Sequence, residues 1–158
     1  MRAGVRLGVD VGRARIGLAR SDLHGMLATP VETVPRGEGD VATIAAAARE
    51  FEAVEVVVGL PLSLSGASTA STEDARAFAL LIAREGVPVR LVDERLSTVT
   101  AQQALRANGR TSRNSRAVVD QVAAVIILQH ALDAERSSGK APGTVVDPHE
   151  GHVDAPGQ

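Results

Sequence analysis

The sequence predicts an α/β fold with a mixed five-stranded sheet, in which three antiparallel strands come first and helices flank the sheet. Two observations support this prediction. Three short apolar-rich runs follow one another before residue 37, with no helical spacing between them. From residue 40 onward, segments with helical spacing alternate with further apolar runs, an order typical of helices packed on a sheet in one domain.

The three antiparallel strands open the chain. Residues 5–10 predict a short strand, and residues 15–20 predict its hairpin partner, because Gly12 lies in the polar turn between them. The segment 26–36 predicts a third strand. Prolines flank it, so it belongs at an edge of the sheet or is irregular.

Helices and strands alternate in the rest of the chain, where helical spacing and β-branched runs distinguish them. The β-branched run at 54–62 is cut off by Gly59 and Pro61 and predicts a buried, parallel strand. The last helix is apolar nearly all round, so we expect it to be central. In order, the predicted elements are a helix at 40–51, a strand at 54–62, a helix from Ser71 to Gly86, a strand at 87–94, a helix entry at 97–105 and a helix at 117–135.

Composition limits the classes of function. The 158 residues suffice for one sizeable core, which we place at 1–136, and the aperiodic segment 137–158 predicts a disordered polar tail. No cysteine is present, which excludes disulfides, thiolate metal sites and cysteine nucleophiles. Two Phe and no Trp or Tyr argue against a base-stacking platform. With no leader and no apolar run of membrane length, we expect a cytoplasmic protein without a membrane partner.

Acids lie at three places suited to one site. Asp10 ends the first strand, Asp93 and Glu94 end the last one, and Asp120 interrupts an apolar helix. Strand order can bring these positions together, because open sheets place their sites at the carboxyl ends of strands. Converging carboxylates repel one another unless cations neutralise them. Mg²⁺ or Mn²⁺ prefers such oxygen ligands, and two ions can clamp the attacking and leaving oxygens of a phosphodiester displacement.

Each acid also has an ordinary structural interpretation. Asp10 fits a turn residue that bonds its own backbone, and Asp93 fits a cap of the following segment. Glu94 fits an ion pair with Arg95 or with another nearby base. Asp120 fits a first-turn acid that interacts with the helix dipole. The joint occurrence of the acids, rather than any one of them, favours a metal site.

Arginines cluster next to these acids. The segment 106–116 holds four arginines and no acid, and it leads directly into the helix that carries Asp120. A solvated loop is the alternative explanation. Contacts to phosphates position a nucleic acid without reading its sequence, which fits recognition of shape or of ends. The candidate phosphate contacts are Arg13, Arg15, Arg110, Arg113 and Arg116.

Four motifs carry a resemblance to a known family. LGVDVGRARIGLA, VVVGLPL, VDERLST and VVDQVAAVIILQ occur in that order within residues 6–133, and with them the chain resembles the YqgF/RuvX family. DERLST with its downstream VD…AA…IL is much more specific than the opening D-x-G, which actin-like kinases and ATPases share. One departure lies in the loop after VVVGLPL, where Ser65 stands in place of the acid common in the family.

The resemblance implies an RNase H-like fold and a nuclease that processes the 5′ end of pre-16S ribosomal RNA, free or in pre-ribosomal particles. Some members of the family are described instead as Holliday junction resolvases, which act on branched DNA. Carried over by motif, Asp10, Glu94 and Asp120 are the catalytic residues and the ligands of a two-metal Mg²⁺ or Mn²⁺ site. Either a monomer or a homodimer is compatible with the sequence.

Two other classes of function remain open on the sequence. The chain fits a non-catalytic nucleic-acid-binding factor on a nuclease scaffold, although a cluster of carboxylates hinders simple phosphate binding. The D-x-G turn alone also fits an actin-like ATP-binding protein. The chain is too short for two such lobes, and no second phosphate loop is visible.

Overall fold

The structure is a computed structural model that describes residues 2–63, 65–94 and 115–149, the first six of the last range by their backbone only. No helix among these residues is long and apolar enough to cross a membrane. In chain order the elements are β1 (Arg6–Val11), β2 (Arg15–Ser21), β3 (Ala28–Pro35), α1 (Asp40–Glu50), β4 (Glu55–Leu60), α2 (Ala70–Arg84), β5 (Val89–Asp93), α3 (Ser115–Ser138) and β6 (Thr144–Val145).

The strands form one mixed sheet in the order β3-β2-β1-β4-β5-β6. β1, β2 and β3 pair antiparallel, whereas β4 pairs parallel to both β1 and β5. The predicted mixed sheet is therefore confirmed. β3 lies at an edge, as its prolines predicted, and the register shifts where Leu18 and Ala19 of β2 face it.

The sheet has six strands, so the predicted count of five was wrong. The additional strand, β6, pairs antiparallel with β5 through Leu91 and Thr144. It comes from the segment in which the sequence indicated no regular structure, because a two-residue strand has no readable period. Gly143 precedes it at φ +80°, and a Cβ there would meet the carbonyl of Leu91. The division into a domain at 1–136 and a tail at 137–158 stays a prediction.

The two faces of the sheet bury different helices. Leu7 and Val9 of β1 belong to the core that α1 and α2 cover, together with Val56 and Val58 of β4. Side chains alternate between faces along a strand. Gly8 and Asp10 therefore belong to the opposite face, which α3 covers.

Helix α3 runs antiparallel to β1. Its buried residues include Ala124, Ile127 and Leu128, and a Cβ on Gly8 would meet the Leu128 Cβ at 2.7 Å and the Ala124 carbonyl oxygen at 2.9 Å. Glu135, farther along the helix, accepts hydrogen bonds from Arg6 at the start of β1. The first turns of α3 consequently lie toward the carboxyl end of β1.

A buried network of charges fixes the other end of this packing. The Arg6 side chain is 2% exposed and pairs with Glu135 at 3.3 Å. Arg2 donates to both oxygens of Glu135 and to Glu55, which also accepts from Arg90 at 3.0 Å. We call these five residues the amino-end charge network. These ion pairs and hydrogen bonds connect the starts of β1, β4 and β5 with the last turns of α3.

Candidate metal and active site

Two of the predicted site acids lie at the same edge of the sheet. β1 and β5 both run parallel to β4, which lies between them, so their carboxyl ends meet at one edge. Asp10 follows Val9, the residue of β1 that pairs with Val58. Glu94 directly follows β5, and its backbone N–H donates to the Leu60 carbonyl at 3.2 Å.

Gly59 leaves the space that the carboxylate of Glu94 occupies. It follows Val58 in β4, and a Cβ built on it would lie 2.5 Å from Oε2 of Glu94 and 2.5 Å from Cδ1 of Ile127. The carboxylate of Glu94 therefore occupies the volume that any other residue at position 59 would fill. The sequence identified Gly59 only as the end of a strand, because its role depends on the register of β5.

The carboxylate of Glu94 lies in an environment that disfavours its charge. Burial, and then the neighbouring charges of Asp10 and Asp93, raise the pKa of Glu94 to about 7. A divalent cation would relieve this repulsion, and an all-oxygen donor set of carboxylates suits Mg²⁺ or Mn²⁺. The residues present therefore fit the metal that the sequence predicted.

Glu94→Gln is expected to stabilise the metal-free protein at alkaline pH. Because the folded-state pKa is raised, the contribution of Glu94 to stability is fully present below about pH 4.5 and is lost as the pH rises through about 7. At pH 8 the free energy of unfolding of the variant should exceed that of the wild type by about 1–3 kcal/mol. Urea unfolding in EDTA at pH 5 and pH 8 measures this difference. If the variant is no more stable than the wild type at pH 8, the expected effect of the Glu94 charge is contradicted.

Gly59→Ala is expected to abolish the nuclease activity that the family resemblance implies, although it removes no carboxylate. The added methyl group would displace the side chain of Glu94 or Ile127. Because both contacts are with the ends of flexible side chains, the loss of stability should lie at the low end of the range for overpacking, about 1 kcal/mol. The matched control is Ala79→Val, which overpacks the core on the opposite face of the sheet and should lose similar stability while keeping activity. If the two variants are equally active at a temperature where both are folded, Gly59 is not needed to make room for the Glu94 carboxylate.

The third predicted acid, Asp120, lies in the second turn of α3. Its backbone precedes Ala124 by one helical turn, and Gln121 donates to Thr33 Oγ1 of β3 at 3.0 Å. The carboxyl group of Asp120 lies outside the described atoms. Within the described residues, no group of three His, Cys, Asp or Glu side chains is placed to hold a metal ion. The pairing of Asp120 with Asp10 and Glu94 therefore stays a prediction.

The predicted phosphate contacts are described only in part. Arg13 is exposed in the turn between β1 and β2, and Arg15 is half-buried at the start of β2, so both lie close in sequence to Asp10. Arg110 and Arg113 lie outside the described residues, as does the helix entry predicted at 97–105, and only the backbone of Arg116 is described. Ser65, the position that departs from the family pattern, is exposed and shares a 2.9 Å hydrogen bond with Ser63.

Arg36 supports the turn that follows Asp10, a role that sequence reasoning missed. Its Nη1 donates to the Gly12 carbonyl at 2.8 Å, and its two Nη atoms form a bidentate pair with Asp74 at 2.8 and 3.0 Å. Asp74 and Asp40 hold the pKa of the Arg36 guanidinium above its usual value. No local pattern signals this contact, because residues 12, 36 and 74 meet only in the folded chain.

Comparisons with known proteins agree with the fold and with the predicted family. A curated relative from Clavibacter michiganensis, described as a "putative pre-16S rRNA nuclease", is 65% identical over 92% of this chain and 93% of its own length. Relatives of the same description from Leifsonia xyli and Thermobifida fusca are 60% and 54% identical, over 96% and 93% of this chain and 99% and 98% of their own.

Solved structures show the same fold at low sequence identity. Thermus thermophilus RuvC in complex with a Holliday junction substrate matches with a TM-score of 0.57 and 21% identity, over 89% of this chain and 99% of that one. The family model described as "RuvX: Holliday junction resolvase" matches residues 4–134. This chain belongs to the RuvX family.

Proposed function

We propose that this chain is a divalent-metal-dependent nuclease that processes the 5′ end of pre-16S ribosomal RNA. The observation that supports this most directly is the meeting of Asp10 and Glu94 at the carboxyl end of the sheet, with Gly59 leaving room for the carboxylate. The proposed substrate follows the description shared by relatives that are 54–65% identical to the chain. We place the activity in the cytoplasm.

Asp10, Glu94 and Asp120 are the residues proposed to hold Mg²⁺ or Mn²⁺. When bound, such ions activate a water and stabilise the charge that develops on the oxygens of the phosphodiester. Because the pKa of the half-buried Glu94 is raised to about 7, a metal bound by this carboxylate would displace its proton near neutral pH. The hairpin of β1 and β2, supported by Arg36, fixes the backbone on which Asp10 lies.

The arginines are proposed to orient the phosphate backbone across these acids. Arg13 is exposed two residues after the end of β1 and can reach a bound strand. Arg15 begins β2, and we propose the same role for Arg110, Arg113 and Arg116. Such contacts fix the position of a nucleic acid and leave its sequence unread, which suits an enzyme that selects its site by RNA shape.

Branched DNA is the second candidate substrate, because the family model carries the description of a Holliday junction resolvase. The proposed chemistry is the same for both substrates. A resolvase must cut two strands symmetrically, and this requires a dimer. Two observations therefore distinguish the two candidates: which substrate is cleaved, and whether the protein is a dimer in solution.

Cleavage of two substrates in parallel tests the proposal. A precursor RNA that spans the 5′ end of 16S rRNA and a four-way DNA junction are incubated with the protein in Mn²⁺ or in EDTA, with Asp10→Asn as the blank. We expect Mn²⁺-dependent cleavage of the RNA at one position. Symmetric cleavage of the junction alone, by a protein of dimeric mass, would favour the second candidate. No cleavage above the blank would overturn both.

A further inference from the structure

A recess lies at the opposite end of α3 from the candidate active site. It has a volume of about 460 Å³ and is lined by Arg2, Arg90, Glu135, Gly139, Lys140 and Ala141, which we call the amino-end recess. Asp120 and Glu135 are 15 residues apart in α3, which corresponds to about 22 Å along a helix. The recess is therefore too far from the acids to form part of the same site.

Positive charge exceeds negative charge around this recess. Arg2, Arg6 and Arg90 share the two carboxylates of Glu55 and Glu135, all within the amino-end charge network. Both oxygens of each carboxylate already accept hydrogen bonds from these arginines. The network alone thus carries one positive charge more than its acids neutralise.

Lys140 adds a second uncompensated charge. It is the only lysine of the chain, it is exposed, and its ammonium forms no ion pair within the described residues. The carboxyl end of α3 opposes this charge with a partial negative charge of about one half. Counted over the described residues, the surplus around the recess is therefore about one and a half positive charges.

A small cavity with both charged and apolar lining residues shares two residues with the recess. Nε of Arg6 is buried and has no hydrogen-bond partner among the described residues. Arg6 lines this cavity together with Glu55, Arg90 and Glu135, the last two of which also line the recess. Unsatisfied buried donors are uncommon in proteins. The cavity, at about 10 Å³, has room for no more than a water molecule beside this donor, so Arg6 adds positive charge beneath the recess rather than a direct ligand contact.

We propose that the amino-end recess binds a phosphate group of about two negative charges, either inorganic phosphate or the terminal monoester phosphate of a nucleotide or RNA. A monoester carries a charge of about −1.5 to −2 at neutral pH, which matches the surplus in the recess better than the single charge of a diester does. Arg2 and Arg90 present guanidinium groups suited to phosphate oxygens. Lys140 contributes a mobile point charge at the rim.

Calorimetric titration tests this proposal in EDTA, so that metal-bridged binding at the acids does not contribute. The ligands are inorganic phosphate, uridine 5′-monophosphate and uridine. We expect phosphate and the nucleotide to bind at one competing site and uridine not to bind. If free phosphate binds but the nucleotide does not, the site takes the free anion; in the opposite case, it takes the esterified one. The proposal would be overturned if neither anion showed saturable binding up to about 10 mM. This concentration covers the weakest dissociation constants expected of a specific site.

Lys140→Gln is the decisive variant, because Lys140 is exposed and its loss breaks no ion pair within the described chain. Its affinity for the bound anion should fall about tenfold, the typical effect of one charge-assisted hydrogen bond. Arg76→Gln is the matched control, since Arg76 is an exposed cation on α2 and should leave the affinity unchanged. An unchanged affinity in Lys140→Gln, or an equal loss in Arg76→Gln, would overturn the assignment.

Discussion

Asp10→Asn is expected to lose cleavage by on the order of 10³-fold or more while the protein stays folded. Asp10 lies on the central strand β1, paired with Gly17, and its charge is near enough to Glu94 to raise the pKa of that carboxyl group. A neutral amide retains the size of the carboxylate but weakens the binding of a divalent cation. Metal ions contribute several kcal/mol of transition-state stabilisation, and each 1.4 kcal/mol is about a factor of ten in rate.

Initial cleavage rates in Mn²⁺ measure this loss, and thermal unfolding in EDTA confirms the fold. The midpoint of unfolding should stay the same or rise, because removal of the Asp10 charge lowers the repulsion felt by Glu94. Asp133→Asn is the matched control, since Asp133 is an exposed acid on α3 that pairs with Arg136 and accepts a hydrogen bond from Gln129. It should cleave at the wild-type rate. An Asp10→Asn protein that cleaves as fast as this control would contradict the assignment of the site.

Glu135→Ala is expected to cause the largest loss of stability, about 3–5 kcal/mol. The change leaves the Arg6 guanidinium buried, with only 2% of the side chain exposed, and without its carboxylate partner. For a chain of this size the midpoint of thermal unfolding should fall by roughly 6–20 °C. Asp133→Ala, which breaks an ion pair at the exposed surface of the same helix, should cost less than about 1 kcal/mol.

The pH dependence of this effect follows from the same contacts. Hydrogen bonds from Arg2 lower the pKa of Glu135 to about 2. With a depressed folded-state pKa, the stabilisation by Glu135 is present above about pH 4.5 and is lost as the pH falls through about 2. The difference between the wild type and Glu135→Ala should therefore narrow below pH 4. A difference that stays constant from pH 7 to pH 2.5 would show that lost packing, rather than charge, causes the destabilisation.

The sequence was sufficient to predict the candidate acids at the strand ends because local patterns carry that information. Asp10 closes an apolar run before a turn, and Glu94 follows another one. Parallel strands place such positions at one edge of a sheet once the strand order is known. The motifs around Asp10, Glu94 and Asp120 pointed to the family, which the relatives and the family model confirm.

Other features could not be predicted because they depend on which strands become neighbours. Gly59 matters only because β5 brings Glu94 beside it, and Arg6 is buried only because Glu135 reaches it from the end of α3. An arginine inside an apolar strand was a signal in the sequence, but its partner is 129 residues away. The strand β6 has two residues and so no period.

The fold separates two groups of charges along α3. The acids at the carboxyl end of β1 and β5 repel one another, which raises the pKa of Glu94. The amino-end charge network at the other end of the helix satisfies its two carboxylates with arginines, and Glu135 keeps a pKa of about 2. One end therefore stabilises the packing of α3, and the other is suited to receive a cation.

Titration of Mn²⁺ into the apo-protein at about pH 6.5, just below the pKa of Glu94, tests the central claim most directly by calorimetry, namely that the acids at the carboxyl ends of β1 and β5 form a divalent-metal site. The wild type and the Asp133→Asn control should bind Mn²⁺ and release protons, because Glu94 must ionise to become a ligand. Glu94→Gln should lose at least about tenfold in affinity, and the proton release should disappear. A Glu94→Gln protein that binds Mn²⁺ as tightly as the wild type, with the same proton release, would contradict the account.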